Sequence, residues 1–283
     1  MFASVATKDP AAVELEIQAA YLGMLPEGNR WFVPQVFGWA IECFAGRYRD
    51  YQAVDARYHD FEHTLQGALC LARLMQGRHR AGAEPRLSER LFQLAIVAML
   101  FHDTGYLKKR DDLEGTGAKY TLTHVARSAE FAGQFLAEKH FSPAEVLAVQ
   151  NMIRCTGVSA NLAAIPFQNE MEKVAGCALA TADLLGQMAA EDYVEKLPIL
   201  YEEFAEAARC SGDSNSFGAS FSSAADLIER TPAFWQGLVQ EKLERDLLGL
   251  YRFLSDTYPS GRNSYLERIE ANVSRIRKLR PVS

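Results

Sequence analysis

Apolar residues recur along this chain at three- and four-residue steps, the period of a helix face. Val125, Ala129, Ala132 and Leu136 form one such stripe, and Leu266, Ile269, Val273 and Ile276 form another, with Glu267, Arg275, Arg277 and Lys278 between them. The strict alternation that marks a half-buried strand is hard to find anywhere. An unbroken run, Leu94 to Phe101, is far shorter than the roughly 20 residues that span a bilayer and reads as a buried helix. Start signals agree. Ser88 can cap the helix that carries this run, Ser142-Pro143-Ala144-Glu145 has the capping-box pattern with proline at the first helical position, and Thr231-Pro232 predicts another helix start. Turn formers gather at Pro26 to Gly28, Gly82 to Pro85, Asp111 to Gly117, Ser211 to Gly218 and Pro259 to Asn263. The expectation is an all-α protein with a core over residues 50–208, a helical extension over 1–49 and another over 209–283. Ser211 to Gly218 is the predicted flexible connection.

Polar groups interrupt this pattern at informative places. His102-Asp103 closes the apolar run, and Asp183 sits inside Ala178-Leu179-Ala180-Thr181-Ala182-Asp183-Leu184-Leu185. Such groups are costly to bury without partners, and a cation would satisfy them. Earlier, Tyr58-His59-Asp60-Phe61-Glu62-His63 would stack its two histidines on one face if the segment is helical. Taken together, His63, His102, Asp103 and Asp183 offer two imidazoles and two carboxylates, a donor set suited to a six-coordinate divalent ion that keeps open positions. Each motif alone is also compatible with a satisfied structural residue. Lys108 and Lys109 follow the His-Asp pair closely enough to reach a phosphate.

In order and residue type, His63, His102-Asp103 and Asp183 resemble the hallmark of the HD superfamily of metal-dependent phosphohydrolases. Within it, the element from Tyr58 to His63 and Ala182-Asp183-Leu184 look like the cyclic nucleotide phosphodiesterases. The resemblance implies a multi-helix HD bundle, one or two divalent ions (Mn, Fe, Zn or Mg), and metal ligation by His63, His102, Asp103 and Asp183. It implies His59 as general acid, and His124 as a ligand of a second ion or of the substrate phosphate, with Asp103 bridging the ions. The implied reaction is hydrolysis of a phosphate ester, a nucleotide or cyclic nucleotide phosphodiester, by metal-activated water. Asp60 stands where those phosphodiesterases carry asparagine, no glutamine-plus-aromatic purine clamp is recognisable in the C-terminal part, and His102-Asp103-Thr104-Gly105-Tyr106 lacks the proline of the HD-GYP signature.

Composition narrows the partners. The chain has 283 residues and a formal net charge of -6, so no overall basic field draws it to duplex nucleic acid or anionic lipid, while a small phosphorylated substrate fits. Met1 to Pro10 has no signal-peptide pattern, and Cys43, Cys70, Cys155, Cys177 and Cys210 form no CxxC pair, which predicts reduced cysteines in a cytoplasmic protein, with homo-oligomerisation left open. The aromatic group Trp31, Phe32, Phe37, Trp39 and Phe44 is expected in the core or an interface, and His79 and His140 on the surface. Two other readings stay open. A non-catalytic HD-fold signalling or adaptor module is one, since fold does not fix function. An HD-type di-iron oxygenase is the other, although Val149 to Cys155 supplies none of the additional histidines it would need.

Overall fold

The apolar run that ends at His102-Asp103 lies at the centre of the molecule: every residue from Phe92 to Phe101 is buried. A computed structural model describes residues 4–157, 159–211 and 220–279. In chain order its main helices are α1 (Pro10–Met24), α2 (Phe32–Phe44), α3 (Phe61–Arg80), α4 (Glu89–Phe101), α5 (His124–Glu138), α6 (Pro143–Ile153), α7 (Glu170–Met188), α8 (Tyr193–Ser211), α9 (Ala224–Ala233), α10 (Gln240–Arg245) and α11 (Ser264–Leu279). Two isolated bridges, Ala45–Ala53 and Tyr51–Lys109, pair loops, and there is no sheet among the described residues. The fold is a compact all-α bundle.

Local chemistry sets most helix starts. Ser88 accepts from Leu91 N at 3.2 Å, and Ser142 and Glu145 exchange both bonds of a capping box. Thr231-Pro232 does not open a helix. Ser223 caps α9, and Thr231-Pro232 fall in its last turn, where Thr231 Oγ1 donates to Leu227 O at 2.8 Å. Because proline brings no N–H, the ladder loosens there, and the chain passes through a π-helical stretch, Phe234–Val239, before α10. Of the residues expected to form the flexible connection, Ser211 ends α8 and 212–218 lie outside the described residues.

The expected extensions share the central core. Val13, Ile17, Val33 and Phe37 from α1 and α2, and Trp235, Leu243, Ile269 and Val273 from the C-terminal part, are fully or almost fully buried in the same cluster as α4. Phe32 and Phe44 are buried, Trp39 packs edge-on against Phe135 and Phe141, and Trp31 is exposed. Four cysteines are buried and Cys210 is exposed; none is bonded. His79 and His140 are exposed, as expected. No helix among the described residues is long and apolar enough to cross a membrane.

One crossing positions the site. α3 packs along α7, and at Gly186 the two backbones approach so closely that a Cβ would lie 2.9 Å from the Gln66 carbonyl and 3.0 Å from Gly67 N. Asp183 is three residues earlier on α7, and His63 is three residues before Gln66 on α3. Gly186→Ala should therefore push Asp183 away from His63. Alanine's better helix propensity offsets about 1 kcal/mol, but overpacking against rigid backbone costs about 1–3 kcal/mol. The expected result is a net loss of stability in urea denaturation together with weaker divalent-ion binding.

Candidate metal centre and its cavity

Four of the six histidines in the sequence, His59, His63, His102 and His124, converge on one end of the bundle. Each arrives differently. His63 is in the first turn of α3, whose N-cap is Asp60: the Asp60 carboxylate accepts from His63 N at 2.9 Å. His59 therefore precedes the helix, and the expected shared helical face is absent. The aspartate cap ends the helix between the two histidines, and His59 comes close to His63 (ring centroids 5.4 Å apart) through a bend. His102 caps the C-terminus of α4, Asp183 projects from α7, and His124 is the first residue of α5.

His63 Nε2 lies 3.2 Å from Asp103 Oδ2 and 3.2 Å from Asp183 Oδ1, while His102 Nε2 lies 3.2 and 3.4 Å from the same two oxygens. His102 Nδ1 donates to Met99 O at 2.7 Å, which leaves the neutral ring with a lone pair at Nε2 facing two carboxylates. Lone pair thus faces lone pair. His102 Nε2 and Asp103 Oδ2 are buried with no hydrogen-bond partner, as are His63 Nδ1 and the Tyr106 hydroxyl. Such an arrangement calls for positive charge at its centre. Burial would lower the pKa of His63, yet the adjacent Asp103 and Asp183 outweigh it and push it up to about 10; His102 is raised by the same pair against its own burial. Burial would raise Asp103 and Asp183, but the imidazoles, His102 first, hold both well below the carboxylate range. His63, His102 and Asp103 can offer ligand atoms within 4.8 Å of one another, and the Asp183 contacts add a fourth donor. A divalent cation fits this donor set in place of the protons.

Asp103 also looks the other way. Its Oδ1 is 3.9 Å from His124 Nε2, and His124 Nδ1 donates to Thr121 O at 2.6 Å, so His124 too presents a bare Nε2. Burial, with the neighbouring His59, outweighs Asp103 and keeps the His124 pKa below its usual value, hence a neutral ring. Tyr106 packs beside both remaining histidines, its ring centroid 4.5 Å from that of His59 and 4.8 Å from that of His124, which are 6.1 Å apart. Gly105 permits this approach: a Cβ there would meet the His124 carbonyl at 2.1 Å.

Two groups in this region carry no motif. Glu203, buried on α8, accepts from His59 Nδ1 at 2.6 Å and from Tyr58 N at 2.7 Å. Burial opposes its ionisation, but His59 and the backbone donors lower its pKa, and the carboxylate takes the Nδ1–H of His59, which leaves Nε2 as the nitrogen able to exchange a proton with the cavity. Arg154, just after α6, lines the cavity that opens over the cluster. That cavity, about 410 Å³, is also lined by His59, His63, Asp103, His124 and Asp183. The expected phosphate contacts Lys108 and Lys109 are outside it. Lys108 is buried in an ion pair with Asp55 at 3.0 Å and donates to Gly115 O at 2.6 Å; Lys109 pairs with Asp50 at 2.7 Å and covers the Tyr51 ring. Acidic loop residues capture both lysines before they reach the His-Asp motif.

The molecule is thus an all-helical protein with a buried His/Asp centre at the floor of a cavity. The chain belongs to the Npun_R2479-like family, whose profile matches residues 34–278. The match runs through all three segments that the sequence pattern divides at 50 and 208. None of the curated proteins matches the chain.

Proposed function

We propose that this protein is a metal-dependent phosphohydrolase of the HD type. The reading rests on one observation: the bare Nε2 of His102 and the ionised carboxylates of Asp103 and Asp183 face one another, buried, beside His63. A bound divalent ion supplies Lewis-acid charge for a phosphoryl oxygen and brings the pKa of water toward neutrality. The chain's own groups do the rest. His63, His102, Asp103 and Asp183 would hold the ion, and their buried surroundings would strengthen the effect of its charge. His59, oriented by Glu203, gives its Nε2 proton to the leaving oxygen. Asp103 Oδ1 and His124 Nε2 form a second concave donor pair that can hold another ion or orient the phosphate. A nucleotide-like phosphodiester is the substrate that the sequence pattern suggests; the reaction class, a phosphate ester, is the part that this donor set supports.

The test is hydrolysis of bis(4-nitrophenyl) phosphate by protein loaded separately with Mn, Fe, Zn and Mg. Turnover with at least one metal, abolished by chelation and restored by the metal, is expected; no turnover with any metal, alongside normal metal binding, would favour the adaptor reading. His124→Ala should keep the ion held by the four-residue cluster and lose either activity or a second, weaker ion, read by metal stoichiometry and kinetics. Wild-type stoichiometry together with wild-type rates would remove His124 from the site.

A further inference from the structure

The lining of the cavity above the metal centre is of two kinds. One set of lining residues is polar, the histidines, the aspartates, Arg154 and Arg230; another is apolar, Leu197, Leu200, Phe204, Phe221, Leu227 and Phe234, contributed by α8, the start of the C-terminal part, α9 and the π-helical stretch. Several polar groups of the lining have hydrogens engaged within the protein, while the Tyr193 hydroxyl, also in the lining, has no partner among the described residues. Thr121 Oγ1 donates to Ala118 O, Thr156 Oγ1 to Ile153 O and Thr231 Oγ1 to Leu227 O. Gln187 accepts from the Tyr58 hydroxyl at 2.9 Å and donates to Asp183 O at 3.2 Å. A nucleobase placed against the apolar residues would leave most of its donors and acceptors unpaired there, whereas an alkyl or aryl group would lose nothing.

Two arginines line the cavity; Arg230 pairs with Asp226 at 3.7 Å, and Arg154 is the other. Its Nη1 donates to Asn151 Oδ1 at 3.1 Å, and Asn151 is itself buried and held by Glu172 at 2.8 Å and Pro166 O at 3.0 Å. No carboxylate pairs with Arg154 among the described residues, whereas Arg49, Arg57, Arg73, Arg86 and Arg90 each have one. A guanidinium braced by a buried amide, its remaining donors without a partner among the described residues and in the same cavity as a centre that would hold a divalent ion, suits a phosphate or phosphonate oxygen.

We propose that the site takes an amphiphilic phosphate ester, its phosphoryl group on the His/Asp centre and Arg154 and its aliphatic or aryl group on the wall formed by α8, α9 and the π-helical stretch. This deepens the phosphohydrolase reading and rests on it for the reaction, but the binding preference stands on the cavity itself.

Binding separates the two. Full-length protein, with and without Mn²⁺, is titrated calorimetrically with methyl, butyl and octyl phosphate below micellar concentrations, and with adenosine monophosphate. Affinity should rise about threefold per methylene until the cavity is full, and octyl phosphate should bind more tightly than the nucleotide. Leu200→Ser and Phe234→Ser, both at half-buried positions, should each narrow the octyl-to-methyl affinity ratio by about fivefold or more. Arg154→Met should weaken every member of the series by about tenfold and leave that ratio unchanged. A flat series, tighter binding of the nucleotide, or an unchanged ratio in both serine variants would overturn the proposal. If the chain-length dependence is present while no phosphoester is hydrolysed with any metal, the hydrolase reading fails and the amphiphile site stands. Hydrolysis without chain-length dependence keeps the hydrolase reading and removes the amphiphile site.

Discussion

Alanine at His63, His102, Asp103 or Asp183 should remove the bound ion and, with it, all phosphoester hydrolysis, and the four variants should differ in what they do to the metal-free fold. The cluster balances two buried carboxylates against two imidazoles. Losing an imidazole leaves Asp103 and Asp183 with less compensating charge, the more costly error, since an uncompensated buried charge costs about 3–5 kcal/mol. Losing one carboxylate leaves the other still paired, so the aspartate variants should fold better than the histidine variants, and the isosteric Asp183→Asn should serve as the cleanest metal-free reference. Wild-type protein should gain thermal stability on adding Mn²⁺, by about 2.7 kcal/mol at a hundredfold excess over Kd, and Asp183→Asn should gain little. Metal content by elemental analysis and melting curves with and without the ion check both parts. An undiminished stoichiometry across the four alanine variants would remove the centre from consideration.

His59→Ala should fail in another way: it should keep its ion and lose rate according to the leaving group. General acid catalysis contributes about 10²- to 10⁴-fold, so hydrolysis of an alkyl ester should fall by that order, while an activated 4-nitrophenyl ester, which leaves without protonation, should fall far less. Glu203→Gln tests the support. The amide can still accept from His59 Nδ1 but carries no charge to favour the imidazolium, so its loss should be smaller than that of His59→Ala and fall on the same substrates. Loss of metal from His59→Ala would make it a ligand or structural support, and equal rates on both esters would end its assignment as acid.

These residues differ in how visible they are along the chain. Where a group's role is set by its near neighbours in sequence, the pattern carries it. The 3.6-residue periodicity, the Ser88 and Ser142 caps and the buried run from Leu94 to Phe101 are local, and the all-α fold follows from them. His102, Asp103 and Asp183 are conspicuous for a related reason, as polar groups set in apolar helices whose burial demands a partner. Tertiary structure decided the rest. Glu203 meets Tyr58 and His59 across about 145 residues, and nothing in Tyr201-Glu202-Glu203-Phe204 distinguishes the carboxylate that is buried from the one beside it. Lys108 and Lys109 look accessible in sequence because the distant Asp55 and Asp50 that bind them are not neighbours there. Arg154 becomes notable only through the absence of a carboxylate around it among the described residues, and the cavity wall only through α8 and α9 folding back over the centre. Local chemistry thus determined which helices form and which polar groups need partners, while the partners themselves, chosen by packing across long sequence separations, were decided by the fold.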